Sequence, residues 1–265
     1  MITLAQKLIS NACGRKRVTT GEVVVCKVDL AMIHDSGGPR RVKPVLERLG
    51  RDVWDKDKVV VVTDHYVPVE NEETKAIQLL TREWVHSQDI KNFYDQQGIC
   101  HVVVPEGGHL KPGMFCVGGD SHSPTGGAFG TYMFGIGATE MAGVLATGEI
   151  WIKVPQTILV SWQGRLSPCV TAKDMMLATC KDIGMGGGCY QAIQFAGEAV
   201  HALSMQDRMT MSNMAAELGA QAGLIMPDEK TAAYVEAAGG EMPVDWQQYS
   251  IEQVAEGDQL LSYDA

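Results

Sequence analysis

The chain has 265 residues, with 22 Lys and Arg against 32 Asp and Glu and a formal net charge of −10. A hydrophobic fraction of 45% and a charged fraction of 20% are those of an ordinary globular protein, and they exclude collagen, coiled coil and general disorder. The acidic balance argues against a nucleic-acid partner, because such a surface needs clustered Lys and Arg.

Membrane insertion and secretion are not expected either. The apolar runs are far shorter than the ~18 residues of a membrane span, and the N-terminus lacks the pattern of a signal peptide. The seven cysteines are scattered, with no pair at C-x-x-C spacing. We therefore predict free thiols and a reducing, cytoplasmic location.

The first half of the chain alternates short β-branched runs with longer segments of helical periodicity. Four continuous apolar runs have the pattern of strands buried on both faces: residues 22–29, 58–63, 99–104 and 114–117. Residues 71–97 carry apolar side chains at spacings near 3 and 4, which predicts a helix, and Asn71 is a suitable N-cap for it. This alternation predicts an α/β fold with a largely parallel sheet.

A second, smaller α/β unit is expected from about residue 156 to residue 265, after a first unit of residues 1–155. Its predicted elements are a strand at 157–162, a helix capped by Thr171 and running to about Asp182, helices at 207–218 and 228–238, and a strand opening at 259–265. Since nothing follows that last strand, the architecture is expected to be incomplete.

Polar side chains with catalytic chemistry follow several of these runs. Asp64 and His65 come directly after the run at 58–63, and strand ends are where open α/β sheets place their ligands. His101 lies inside the run at 99–104, where a satisfied core histidine is the simpler interpretation.

The strongest signal is the glycine-flanked segment Gly118-Gly-Asp-Ser-His-Ser-Pro-Thr-Gly-Gly-Ala-Phe-Gly130. It places Asp120, Ser121 and His122 in a loop after the strand at 114–117. Carboxylate, hydroxyl and imidazole together supply an acceptor, a donor and a group that titrates near neutral pH. Further along, Asn213 and Glu217 are i,i+4 neighbours if residues 207–218 are helical.

Taken together, these motifs resemble the aconitase superfamily, in particular its isopropylmalate dehydratase, homoaconitase and dimethylmalate dehydratase large subunits. The motifs that carry the resemblance are Thr63-Asp-His65, Gly98-Ile-Cys-His101, the Gly-Asp-Ser-His loop and Ser212-Asn-Met-Ala-Ala-Glu-Leu-Gly219. The resemblance implies three-layer α/β domains, of which this chain would form the first two of three. It also implies a hydro-lyase acting on a small 2-hydroxy di- or tricarboxylic acid such as isopropylmalate.

The resemblance also assigns roles to individual side chains. Asp64 and His65 resemble the pair that protonates the departing hydroxyl. The pairs His101–Asp120 and His122–Glu217 resemble the groups that hold the iron-bound water. Ser121 and His34 resemble residues that contact a substrate carboxylate. Asn213 resembles a residue next to the cluster.

The family's 4Fe–4S cofactor is implied, but its cysteine ligands are not found in this sequence. The family binds the cluster through a Gly-Ser-Cys-Thr-Asn segment and a C-x-x-C pair, and neither occurs here. No metal ligand is therefore predicted within this chain. The expected partners are a third, cluster-binding domain and a separate small subunit, and the chain is interpreted as a fragment or split half.

Two alternatives remain open from the sequence. One is a non-catalytic or degenerate protein that keeps the aconitase fold but lacks the cluster. The other is a mononuclear metal hydrolase that uses His65, His101, Asp120 and His122, since oxygen and imidazole ligands suit Zn or Mn.

Overall fold

A computed structural model describes residues 2–265, which form two parallel sheets and one antiparallel pair of strands. The strands are β1 (Val23–Lys27), β2 (Leu30–His34), β3 (Val59–Thr63), β4 (Asn92–Asp95), β5 (Phe115–Gly118), β6 (Tyr132–Gly135), β7 (Glu149–Lys153), β8 (Thr157–Gln163), β9 (Ala192–Ala196), β10 (Ala222–Ile225) and β11 (Gln259–Asp264). The helices are α1 (Leu4–Ala12), α2 (Pro39–Leu49), α3 (Glu72–Ser87), α4 (Cys100–Glu106), α5 (Ala138–Thr147), α6 (Ala172–Ile183), α7 (Glu198–Ala202), α8 (Met205–Met214) and α9 (Glu229–Ala237). Within residues 2–265, no helix is both long and apolar enough to cross a bilayer.

The first sheet has the strand order β4-β3-β2-β5-β6, and all its neighbours pair in parallel. Alternate residues of its central strands enter two different buried clusters. Ala31, Ile33 and Val61 pack toward α1, α2 and α5, whereas Met32 and Val60 pack toward α4. The sheet is therefore the middle of three layers, which confirms the α/β class.

The second sheet has the order β10-β9-β8-β11 and is also parallel. One face packs on α6, α7 and α8 through residues such as Val160 and Phe195. Its other face places Ala192 and Leu224 in the same buried cluster as the first sheet. The two halves therefore share a core. The division near residue 155, between β7 and β8, stays a prediction.

A 3₁₀ segment, Ser123–Phe129, is buried between the two sheets and directly follows the Asp120–His122 loop. Its Gly127 lies against β10 so closely that an added Cβ would come within 1.8 Å of the main-chain oxygen of Gly223. Only a residue without a side chain allows this approach. The second half of the chain thus fixes the position of the loop that carries the strongest motif.

Several local expectations are confirmed. β3 is buried along its whole length, and β5 and β8 lie where the sequence predicts them. Asn71 and Thr171 cap α3 and α6, each with its side-chain oxygen accepting a main-chain N–H of the first turn. Both caps satisfy donors that would otherwise lack a partner at a helix start.

The prediction of a strand at residues 99–104 is wrong, because this segment forms helix α4. Cys100, Val103 and Val104 are buried, whereas Val102 is exposed, which is the spacing of one helical face. The helix starts where the Cys100 N–H donates to the Asp64 carboxylate at 2.7 Å. This tertiary contact outweighs the β propensity of the valines.

Two other expectations need correction. Residues 71–97 are not one helix, because α3 ends at Ser87 and Phe93 and Tyr94 lie in β4, paired with β3. Residues 22–29 do not form a strand buried on both faces. β1 pairs antiparallel with β7, and Val23 and Val25 are exposed on its outer side. A continuous apolar run can thus also belong to a strand with one open face.

We expect Gly127→Ala to destabilise the chain, because its Cβ would collide with main-chain atoms of β10 that cannot rotate away. Overpacking of this kind costs about 1–3 kcal/mol or more in the free energy of unfolding. Gly143→Ala is the matched control, since Gly143 lies in α5 and its Cβ would meet nothing within 4 Å. That change should raise stability by up to about 1 kcal/mol through helix propensity. Urea unfolding of both variants measures the difference, and equal midpoints would contradict the close packing.

Candidate active site

The candidate residues gather at the carboxyl ends of three adjacent strands of the first sheet. β2 ends at His34, β3 is followed by Asp64 and His65, and β5 is followed by Asp120. Parallel pairing places these ends at one edge, since His34 lies beside Val62 and Met32 beside Gly118. From β2 the chain adds β3 and β4 on one side of the sheet and then β5 and β6 on the other side. The crevice at this switch point, between β2 and β5, is the usual ligand position in open α/β sheets.

Asp64 and His65 form a short, oriented pair. The Oδ1 atom of Asp64 lies 2.6 Å from Nδ1 of His65, and its Oδ2 atom accepts the Cys100 N–H. The hydrogen bond to Asp64 raises the pKa of His65 above its usual value. Burial works to raise the pKa of Asp64, but the bonds from His65 and Cys100 outweigh it, and the net pKa is lowered. This pair favours a protonated imidazole beside an ionised carboxylate.

His34 lies under this pair and is buried. Its ring stacks on the ring of His65, with 3.9 Å between centroids and 11° between planes. Its Nε2 atom lies 2.9 Å from the Gly119 carbonyl oxygen, and its Nδ1 atom faces the Gly37 N–H at 3.4 Å. Burial, and secondarily the charge of His65, lowers the pKa of His34. Both ring nitrogens have partners within the chain, so its substrate contact stays a prediction.

Asp120 connects the groups at the centre of the site. Its Oδ1 atom lies 2.7 Å from Nε2 of His101 and accepts the main-chain N–H of His122 at 2.8 Å. Its Oδ2 atom lies 3.9 Å from Nε2 of His65. The hydrogen bond from His101 holds the pKa of Asp120 well below the usual range. One carboxylate therefore faces the imidazoles of two different elements, α4 and the β3 loop.

The His122 ring reaches toward the second half of the chain. Its Nε2 atom lies 3.2 Å from Oε1 of Glu217, and its Nδ1 atom lies 3.1 Å from the Ser121 hydroxyl. Glu217 sits on a 3₁₀ turn, Ala215–Leu218, because α8 ends at Met214. The expected helix across residues 207–218 is thus too long by one turn. The side chain of Glu217 is also 47% exposed, so its acid is not buried.

Asn213 stabilises the Asp120–His122 loop through Thr125. Its Nδ2 atom donates to the Thr125 hydroxyl at 2.9 Å, and that hydroxyl donates to the His122 carbonyl at 2.6 Å. Ser123 donates to the Asp120 carbonyl at 2.7 Å. These bonds tie both ends of the Asp120–His122 loop to the buried 3₁₀ segment, which orients the carboxylate and the imidazole.

A cavity of about 410 Å³ opens beside Asp120 and Ser121. Its wall includes Tyr190 and Gln221 from the second half of the chain. The Gln221 side chain accepts a hydrogen bond from the buried Tyr132 hydroxyl at 2.5 Å. The sequence reasoning missed both wall residues, since neither lies in a motif or at a strand end of the first sheet.

The converging side chains of the described residues lack the thiolate ligands that an iron–sulfur cluster needs. Across residues 2–265, the one group of three or more converging His, Cys, Asp or Glu side chains contains no thiol: His34, Asp35, Asp64 and His65. Every cysteine within residues 2–265 is free, and Cys26, Cys100 and Cys116 are buried. The oxygen and nitrogen atoms of the converging group mostly bond to main-chain atoms or to each other, which leaves little free for a metal.

Comparisons with known proteins identify the family to which this chain is similar. The model of the aconitase family (aconitate hydratase) matches residues 6–264. A Methanothermobacter thermautotrophicus protein named "Probable 3-isopropylmalate dehydratase large subunit" is 44% identical over 241 residues, which is 90% of this chain and 57% of that protein. A "Probable methanogen homoaconitase large subunit" from the same organism is 39% identical over 244 residues, again 90% and 57%. The chain thus spans little more than half the length of these relatives.

Among solved structures, the holo form of aconitase X from Thermococcus kodakaraensis aligns with a TM-score of 0.48 and 12% sequence identity. The alignment covers 91% of this chain and 57% of that one.

We expect Asp120→Asn to make stability less dependent on acid pH. A carboxylate whose pKa is lowered by folding adds stability that is present above its unfolded pKa of about 3.9 and is lost as pH falls through the folded pKa. The variant should lose about 1–3 kcal/mol in the free energy of unfolding at pH 7. It should also lose less than the wild type between pH 4 and pH 2.

The measurement is urea unfolding across this pH range. Glu241→Gln is the control, since Glu241 is exposed and no hydrogen bond or ion pair is found for it within residues 2–265. A pH profile of Asp120→Asn parallel to that of the wild type would contradict the bond to His101.

Proposed function

This chain belongs to the aconitase family, and we propose that it supplies the acid–base part of a hydro-lyase active site, as the corresponding part of a dehydratase large subunit. The supporting observation is the set of three imidazole–carboxylate pairs, Asp64–His65, His101–Asp120 and His122–Glu217, at one edge of the sheet. Removing water from a hydroxy acid requires a proton for the departing hydroxyl and groups that orient it. Three such pairs in one crevice can supply both.

His65 is the best candidate for the proton donor. Its Nδ1 atom bonds to Asp64. Its Nε2 atom faces the Asp120 carboxylate at 3.9 Å, and within residues 2–265 no hydrogen bond is found for it. The raised pKa keeps the ring protonated closer to neutral pH. An imidazolium with one fixed nitrogen and one free N–H can give its proton to a substrate oxygen and recover it during rehydration.

The other two pairs, His101–Asp120 and His122–Glu217, hold and orient oxygen atoms of the substrate or of water. Asp120 accepts from both the His101 ring and the His122 main chain, so it fixes the spacing of these two histidines. Their rings lie 6.3 Å apart between centroids in an edge-on arrangement, so the two imidazoles are direct neighbours in the crevice. Ser121 lies at the mouth of the neighbouring cavity and can donate to a carboxylate oxygen.

The 4Fe–4S cofactor of the family and its cysteine ligands are assigned here to the part of the relatives that this chain does not span. The substrate class is a small 2-hydroxy di- or tricarboxylic acid, and relatives named for isopropylmalate and for homoaconitate both match the chain. A small subunit is the expected partner, since these relatives are named large subunits. The seven unpaired thiols support a cytoplasmic location.

The test is a chimera that joins this chain to the remaining part of the isopropylmalate dehydratase relative, expressed with the small subunit of the same organism. We expect dehydration of isopropylmalate, and we expect His122→Ala to lower kcat by about 10²–10⁴-fold, as for loss of a positioned acid–base group. Glu217→Gln should lose a similar factor. The double variant should be little worse than either single variant, because residues that act as a unit are not additive.

His86→Ala is the matched control, since His86 is an exposed histidine of α3 away from the crevice. Turnover by His122→Ala within a few-fold of the wild type would contradict a catalytic role for the loop. The hydro-lyase proposal also requires that the chimera be active. A folded complex that binds the cluster but does not dehydrate isopropylmalate would favour the non-catalytic alternative.

A second prediction concerns the chain alone. Purified without oxygen, it should contain far less than one iron per chain, because neither the Gly-Ser-Cys-Thr-Asn segment nor a C-x-x-C pair occurs in its sequence. Iron and sulfide analysis with absorbance spectra is the measurement. About four irons and four sulfides per chain would contradict this assignment of the ligands.

A further inference from the structure

Asp35 has no role in the proposed chemistry, yet it is completely buried directly beneath the His65 turn. It follows the last residue of β2, at the same sheet edge as Asp64 and Asp120. Its Oδ1 atom accepts the His65 main-chain N–H at 3.1 Å, and its Oδ2 atom accepts the Tyr66 N–H at 3.3 Å. We propose that Asp35 is a positioning residue that holds the main chain of the His65 turn, so that the imidazole keeps its free nitrogen toward Asp120.

The geometry explains why His65 needs this support. His65 is exposed at the surface of the crevice, so packing alone does not fix the position of its ring. Three contacts determine its position: Asp64 holds Nδ1, the His34 ring covers one face, and Asp35 holds the main chain. The first two contacts act on the imidazole ring, whereas the third fixes the main chain from which the side chain extends.

A carboxylate suits this place better than any other side chain of its size. Two N–H groups converge on it, and a carboxylate offers an acceptor to each, whereas the amide of asparagine presents its own N–H₂ group to one of them. The main chain of Asp35 is fixed as well, since its N–H donates to the Val62 carbonyl at 3.0 Å. These hydrogen bonds of Asp35 therefore connect the end of β2 rigidly to the turn after β3.

The charges that face the His65 ring are those of Asp64, Asp120 and Asp35, and the other titrating neighbour is His34. The carboxylate of Asp35 comes within 3.9 Å of Nδ1 of His65. Its removal is therefore expected to change the protonation of the imidazole, which a purely structural bond elsewhere in the fold would not do.

The test compares Asp35→Asn with Asp29→Asn in this chain. Asp29 is the matched control because it flanks the other end of β2 and also accepts a main-chain N–H, that of Phe115 at 2.9 Å. NMR titration of the histidine ring signals should show the pKa of His65 lowered by at least about 0.7 in Asp35→Asn, because about 0.7 is the effect of one charge at about 4 Å in bulk water and a buried carboxylate is screened less. Asp29→Asn should leave it unchanged.

Amide hydrogen exchange in the wild type gives a second measurement that does not depend on a variant folding. The His65 and Tyr66 amides should exchange at least ~10-fold more slowly than the amide of exposed Val67 in the same loop. Equal exchange rates, or an unchanged pKa of His65 in folded Asp35→Asn, would overturn the proposal.

The catalytic meaning of this inference rests on the proposed function, but both NMR measurements are made on the chain alone. In the chimera, Asp35→Asn should lower kcat by about 10-fold while KM changes little. If the chimera is inactive while the pKa of His65 depends on Asp35, the hydro-lyase proposal fails and the positioning role stands. An active chimera with full kcat in Asp35→Asn would overturn the positioning role alone.

Discussion

The parallel pairing of β2 with β3 and β5 is the constraint on which the candidate site depends. It brings the carboxyl ends of three strands to one edge, and residues from three separate motifs meet there within a few ångströms. Because the side-chain period of a strand is two, a shift of one residue in either pairing would turn every inward side chain to the opposite face. The two different buried clusters on the two faces of the sheet oppose such a shift.

The second half of the chain completes this edge. Glu217 is the partner of His122, and Asn213 holds the same loop through Thr125. These contacts depend on the close approach of Gly127 to β10 and on the apolar cluster that both sheets share. The candidate site therefore lies across two sheets, and a change in the packing between them would alter the distance from His122 to Glu217 before it altered either sheet.

The sequence predicted those features that depend on local chemistry. The valine run of β3 and the capping side chains of α3 and α6 were predictable because burial and unpaired N–H groups act over a few residues. Helix α4 was not, since Asp64, far away in sequence, accepts the N–H at its start. The exposed side of β1 was missed because its partner β7 lies more than a hundred residues later. Asp35 could have been found by the strand-end criterion that selected Asp64, since it directly follows the last residue of β2.

The packing of the Ser123–Phe129 segment against β10 also has a consequence for the order of folding. During synthesis, every strand of the first sheet, up to Gly135, emerges long before Ala222–Ile225. The loop with Asp120 and His122 therefore spends that interval without the surface that fixes it. Closing so long a loop costs only slightly more entropy than closing a short one, but it delays the contact. We expect the crevice to be the last part of this chain to become ordered, after both sheets have formed.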